Sequence, residues 1–263
     1  MFDWLINLAE QDVIVFSVFL FGLLFVALEA GYLGGRVAKR RAWVAKEATQ
    51  SSGIIVGGMM TFLAFFLGMS LSIAFTGFQH RQHAVVSEAN AIESAWLLAG
   101  AQSDHGGNDL QVLLRDYTAV RFKAASPASS AENLAAIARD AGALQSKAWT
   151  LATKIDGREK TYSTGLLLES LTEAFNASTL KRQAFDMRIP AHIAQLLALT
   201  ASSAMLLIGF HIGLVGTRLW IPSGLLVITV VGAVALISDL SRPYHGGINV
   251  SPDALQWVLD RMQ

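Results

Sequence analysis

Four apolar stretches, two near each end of the chain, set the strongest limit on what it can fold into. They cover residues 13–35, 53–75, 189–216 and 221–238. A hydrocarbon core about 30 Å thick is crossed by about 20 apolar residues of helix, and each stretch is close to or above that length. Between the two pairs lies a polar, helix-patterned block of more than a hundred residues. The expected fold is therefore all-α: a four-span helical membrane protein with an extramembrane helical bundle inserted between spans two and three. Four parts follow: 1–75, two spans and their basic connecting loop; 76–188, the bundle, continuous with span two; 189–238, spans three and four; and 239–263, a tail with a short amphipathic helix.

Charge supports this division. Only 15% of the residues are charged, against about 25% in a typical soluble protein, and most of them lie in the middle block. The net charge is zero, so no global field draws in nucleic acid. With no cysteine, disulfides, thiolate metal sites and thiol catalysis are excluded. The opening residues Asp3, Glu10 and Asp12 are acidic where a secretory signal is basic, which predicts an uncleaved first span.

Short loops rich in Lys and Arg stay in the cytoplasm. Arg36, Lys39, Arg40, Arg41 and Lys46 mark the loop between spans one and two, and Arg218, between spans three and four, falls on the same side. The chain is thus expected to be multi-pass in the inner cell membrane, with the N-terminus, middle bundle and C-terminal tail extracytoplasmic.

The spans carry small residues at helical spacing: Ala27, Ala30, Gly31, Gly34 and Gly35 in span one, Gly53, Gly57 and Gly58 opening span two, and Gly209, Gly213 and Gly216 in span three. Small residues three or four apart let backbones approach closely in lipid. Packing within one subunit and packing between subunits use the pattern equally. Span two has no Pro from 61 to 98. A helix of that length, about 55 Å at the α-helical rise, projects well beyond a bilayer.

The block then reads as further helices. One covers 109–123, with Leu110, Leu113, Leu114, Tyr117 and Arg121 on one face, and is followed by a loop over 126–130. The next, 131–155, has Leu134, Ile137, Ala141, Leu144, Ala148, Leu151 and Ile155 in an alternating three-four seam, and Asp156-Gly157 is expected to end it. A helix over 161–188 runs toward span three, with Pro190 at the junction. Ser251-Pro252-Asp253 reads as a helix start, with Ser as N-cap and Pro at the first helical position, ahead of an apolar face of Leu255, Val258, Leu259 and Met262.

Few residues suggest chemistry. Glu29, inside span one, must face a partner, a pore, water or the headgroup boundary. His211, in span three, is either a neutral imidazole bonded to a neighbouring helix or a titrating gate. Phe62, Phe65, Phe66, Met69 and Ile73 form the bulky side of span two, with Ser70 among them. Such a stripe faces lipid, or gates by dewetting if several copies surround an axis. His80 and His83 share a helix face, but Glu88 does not lie on it, so a third metal ligand is missing. Arg81 suits an interfacial anchor or an ion-attracting ring, and Glu88, Asn90 and Glu93 suit inter-helix hydrogen bonds. There is no nucleotide loop, nucleophile elbow or metalloprotease motif, so no enzyme, metal or cofactor is expected.

Several segments together resemble the bestrophin-like family of bacterial membrane proteins. These are Leu63-Ala64-Phe65-Phe66-Leu67-Gly68-Met69-Ser70, then Phe78 and Arg81, then Val86-Ser87-Glu88-Ala89-Asn90-Ala91-Ile92. Leu113-Leu114-Arg115-Asp116-Tyr117, Arg182 with Arg188-Ile189-Pro190, and Asp239-Leu240-Ser241-Arg242-Pro243 with Gly247-Ile248 and Val250-Ser251 extend the likeness over nearly the whole chain. The resemblance to true bestrophins lies in the architecture and in the second span. It implies a homo-oligomer, pentameric as they are, that conducts small inorganic ions with anions preferred. It also implies a constriction at Phe62, Phe65, Phe66 and Met69, and motif positions at Arg188, Asp239 and Arg242. The basic 36–46 loop implies the opposite membrane orientation. The alternative is a membrane-anchored sensor or interaction module whose bundle binds a partner or ligand without conduction.

Overall fold

The structure is a computed structural model that describes residues 13–41, 46–102, 106–124, 131–158, 160–187, 191–242 and 247–263. Among the described residues there are eight helices and no strand: α1 (Val13–Arg40), α2 (Lys46–Gly100), α3 (Gly107–Ala124), α4 (Ala131–Arg158), α5 (Tyr162–Asp186), α6 (Ala191–Val215), α7 (Trp220–Leu240) and α8 (Asp253–Arg261). Four of them, α1, α2, α6 and α7, are long and apolar enough to cross a membrane. The 126–130 loop, Arg188, Pro190 and the acidic opening residues lie outside the described residues.

The chain divides into two compact units. One contains Met1–Thr76 and Arg188–Ile248, the other Gly77–Met187 and Asn249–Gln263. Helix α2 contributes its first part to the membrane unit and its remainder to the bundle unit. It is 55 residues long and begins at Lys46, so Gly53, Gly57 and Gly58 lie within it rather than opening it. A glycine costs about 1 kcal/mol in a helix interior, but a break in lipid leaves backbone groups without partners at several kcal/mol each.

In the membrane unit α1 packs on α6 and on α7. A Cβ added at Gly31 would lie 2.0 Å from the Leu206 carbonyl oxygen, and one at Gly35 2.1 Å from that of Phe210. From the other side, a Cβ at Gly209 would lie 2.0 Å from the Leu28 oxygen and one at Gly213 2.3 Å from that of Tyr32. These four glycines therefore serve contact within one subunit. By contrast, a Cβ at Gly57 or Gly58 meets nothing within 4 Å. Partners rise together along the two helices, 31 with 206 and 35 with 210, so α1 and α6 run parallel. Their C-terminal ends consequently coincide, and Lys39 Nζ donates to the Val215 carbonyl at 2.9 Å. Gly216, just past α6, has φ +89°, the left-handed turn that a helix stop needs and that glycine adopts without strain.

In the bundle unit α4 packs on α3 and α5, and α8 on α3. Its core interleaves small and large side chains: Ala95, Ala99, Leu110, Leu114, Ala148, Ala152, Ile155, Leu167 and Leu171. The buried row of α4 includes Ala141, Ala148, Ala152 and Ile155, whereas Ile137, Leu144 and Leu151 are half-buried. The seam is thus rotated from its expected centre toward Gln145, because Gln145 Nε2 donates to Tyr117 Oη at 2.9 Å and to Ser178 Oγ at 3.2 Å. A polar residue takes a seam position when both neighbours offer it oxygens.

Several boundaries differ from expectation: α1 continues past residue 35 to Arg40, so that Arg36, Lys39 and Arg40 are helical, and α3 covers Gly107–Ala124 rather than 109–123. Helix α4 continues through Gly157 to Arg158, since Asp156 Oδ1 accepts from Thr164 Oγ1 at 2.6 Å instead of closing its own helix end. Helix α5 starts at Tyr162, with Thr161 and Thr164 in a reciprocal capping box. Helix α8 begins at Asp253, whose N–H donates to Ser251 Oγ at 3.3 Å, so the start falls one residue later.

Candidate functional site

The bulky stripe of α2 splits between two faces. Phe62 is 49% exposed, Phe65 67%, Met69 39% and Ile73 39%. Phe66 and Ser70 turn inward with Leu63 and Ala74 and are covered by their own chain. At 100° per residue the four open side chains fall within one narrow sector and the four covered ones in the adjacent sector. What sequence reads as a single bulky side is therefore an open row of four beside a packed row. The Ser70 hydroxyl, buried in that packed row, finds no hydrogen-bond partner among the described residues.

Glu29 has a partner far along the chain. Arg218 Nη2 donates to Glu29 Oε2 at 2.6 Å. The Arg218 guanidinium carbon also lies 4.6 Å from the Tyr32 ring centroid and 3.6 Å from that of Trp220, so aromatic rings attend the cation. The pair sits in a cleft with Phe25, Leu28, Ile212, Leu219 and Ser223 among its lining. His211 Nδ1 lies 2.8 Å from Ser52 Oγ on α2, the inter-helix bond expected of an ordinary membrane histidine.

In the bundle unit Glu88 is fully buried on α2. Arg121 Nε of α3 lies 2.5 Å from Oε1, and Lys181 Nζ of α5 lies 2.8 Å from Oε2. One carboxylate thus holds three helices through two cations. Burial pushes the Lys181 ammonium below the ordinary lysine value, and the Glu88 carboxylate opposes that fall. Burial likewise raises the neighbouring Tyr117 hydroxyl, against the opposing pull of Arg121. Glu93 of α2 pairs with Arg261 of α8 at 2.6 Å.

Of the remaining motif residues, Arg81 is covered by its own chain at 2% exposure, and Asn90 is exposed. His80 and His83 are both exposed, and among the described residues no three His, Cys, Asp or Glu group as metal ligands. Arg242 is half-buried, and Arg188 lies outside the described residues. Asp239 closes the turn after α7. Its carboxylate accepts from the Gly247 N–H at 2.9 Å and the Ile248 N–H at 3.1 Å. Asp239→Ala is expected to cost about 1 kcal/mol, charge-assisted bonds discounted for exposure, and to speed amide exchange at 247 and 248.

Sequence reasoning missed Lys181 and Gln145, and it gave Arg121 a helix face without a partner. A basic residue on an otherwise apolar face is the signal that points to a buried counter-ion.

The likeness read from the motifs extends over the fold. The Bestrophin-like domain model matches residues 18–255. The chain belongs to the bestrophin-like family. Solved structures share its architecture. A bacterial bestrophin homologue from Klebsiella pneumoniae, in a variant form, superposes with a TM-score of 0.59 at 14% identity, covering 91% of this chain and 97% of that one. Another structure of the Klebsiella pneumoniae homologue gives 0.57 at 14%, covering 91% and 94%. A variant of a membrane protein gives 0.63 at 12%, covering 92% and 96%. At such identities the likeness is one of fold. No curated protein matches the sequence. This bestrophin-like chain is an integral membrane protein with four candidate spans.

Proposed function

We propose that the chain assembles with copies of itself into an ion channel whose axis is lined by α2, with Phe62, Phe65, Met69 and Ile73 as its hydrophobic constriction. The observation that carries this reading is the open row. On α2 one subunit turns Phe66 and Ser70 inward and leaves the adjacent sector, Phe62, Phe65, Met69 and Ile73, uncovered, as it does Leu71 and Phe75 on another side of the helix. A ring of such side chains holds a pore closed by expelling water until it widens. Family membership supports conduction of small inorganic ions, with anions preferred, and a pentamer as the subunit count.

The same proposal places 1–75 and 189–238 in the inner cell membrane, 76–188 outside the bilayer and 239–263 as the tail. The parallel packing of α1 and α6 supports an orientation in which both basic connections share the cytoplasmic side. No residue is assigned to catalysis.

The test is halide and potassium flux through the purified oligomer in liposomes, with particle mass measured in parallel. Phe65→Ala, at the most exposed position of the row, is expected to raise halide flux several-fold and to leave subunit number unchanged. Absence of flux from both proteins, with monomeric particles, overturns the channel reading and leaves a non-conducting membrane anchor.

A further inference from the structure

The Glu29–Arg218 cleft is not used by the pore. Its place in the membrane unit follows from the parallel helix ends. Glu29 lies eleven residues before the α1 end at Arg40, about 16 Å along the helix axis. Arg218 starts from the loop at that same end and reaches back to it. An arginine in a membrane unit is retained where it meets an anion or water. A guanidinium has five N–H donors, yet among the described residues Arg218 donates one hydrogen bond, to Glu29. The Tyr32 and Trp220 rings supply π contact and accept none of the remaining donors conventionally. The side chain is also 35% exposed, so those donors are reachable from outside the chain.

Two further features define what would reach them. The surroundings are cationic: Arg36, with its guanidinium carbon 5.8 Å from the Tyr32 ring, and exposed Lys39, Arg40 and Arg41 share this end with the Glu29 carboxylate. The cleft wall is apolar, built from Phe25, Leu28, Ile212 and Leu219. A free phosphate uses the cations alone. A phospholipid uses both, with its phosphate on the arginines and its upper acyl chain along the wall.

We infer that this cleft is a binding site for an anionic phospholipid, with Arg218 and Arg36 as headgroup ligands and the Glu29 carboxylate as the positioning residue for Arg218. Basic pockets between spans near the cytoplasmic surface recognise anionic headgroups in this way. The arrangement also fixes the division of labour. Glu29 holds one edge of the guanidinium, the aromatic rings hold its faces, and the free edge takes the phosphate in the bidentate geometry that arginine favours.

The experiment is native mass spectrometry of the full chain in detergent, titrated separately with dioleoylphosphatidylglycerol, dioleoylphosphatidylcholine and inorganic phosphate. The wild-type chain is expected to hold the glycerol lipid about tenfold more tightly than the choline lipid. The double variant Glu29→Gln with Arg218→Gln removes both charges together and is expected to abolish that preference. Arg36→Gln, on an exposed side chain that makes no hydrogen bond or ion pair among the described residues, is expected to weaken it and serves if the double variant fails to fold. Equal binding of the two lipids overturns the inference. So does a preference that survives both substitutions, and so does displacement of the lipid by inorganic phosphate at comparable concentration. Lipid retention is read without flux, so this result and that of the channel assay fail independently.

Discussion

Glu88→Ala is expected to destabilise the protein by about 3–5 kcal/mol, the loss seen when one member of a buried ion pair is removed and its partner is left without compensation. The geometry puts this site at the upper end. Glu88 is 0% exposed, and it faces two cations, Arg121 at 2.5 Å and Lys181 at 2.8 Å. Lysine escapes part of the penalty by losing its proton, since burial already drives its pKa down and the carboxylate that opposes the fall is gone. Arginine stays charged. The sign of the pH effect follows. A base whose folded pKa lies below its unfolded value binds fewer protons when folded, so stability rises with pH between the two values. In the variant that interval widens downward, and part of the lost stability returns as pH is raised toward the ordinary lysine range. The readout is thermal unfolding of the detergent-solubilised protein, with a fall in Tm on the order of 10 °C. Replacing all three charged residues by apolar ones of similar volume is expected to restore much of the loss, because no uncompensated charge then remains. An unchanged Tm in Glu88→Ala would show that the cluster does not hold the three helices.

How much of this was legible beforehand differs by the kind of information involved. The four spans could be read because length and apolarity are properties of a single stretch of chain. The split within α2 could not. Phe62 and Phe66 are equally apolar and four residues apart, and in lipid hydrophobicity does not sort a packed face from an open one. The partner of Glu29 was hidden for another reason: Arg218 is 189 residues away, and no local pattern carries that pairing. The α4 seam was found at nearly the right place, but a rule that counts apolar positions passes over Gln145, which earns its place through Tyr117 and Ser178. The Glu88 network was half visible. The sequence put Glu88 on the emergent helix and Arg121 on an apolar face, and only the packing of α5 adds Lys181. Membership of the family was readable for the converse reason, since contiguous motifs such as Glu88-Ala89-Asn90-Ala91 and Asp239-Leu240-Ser241-Arg242 need no partner to be recognised.

The glycines of α1 and α6 provide the second large effect. Alanine at Gly31 or at Gly209 places a methyl carbon 2.0 Å from a carbonyl oxygen of the facing helix. The obstacle is backbone, so no rotamer change relieves it, and the two helices must separate. Each substitution is expected to cost about 3 kcal/mol, the upper end of overpacking. In lipid the damage is not repaired by apolar surface finding other apolar surface, because acyl chains offer the same environment. What holds α1 to α6 is close van der Waals contact, and that contact is lost over the whole seam once the axes part. Gly22→Ala, on the same α1 helix with nothing within 4 Å of the added carbon, is the matched comparison. It removes a helix-weakening residue and is expected to leave stability equal or slightly higher. Thermal unfolding and the fraction recovered as monodisperse particles should therefore separate Gly31→Ala and Gly209→Ala from Gly22→Ala. The paired substitution Gly31→Ala with Gly209→Ala adds less than the sum of the two, since a seam already opened by one methyl accommodates the second. If the single alanines matched wild type, close backbone approach could not be what joins the two helices, and the shared end that places Arg218 beside Glu29 would lose its physical basis.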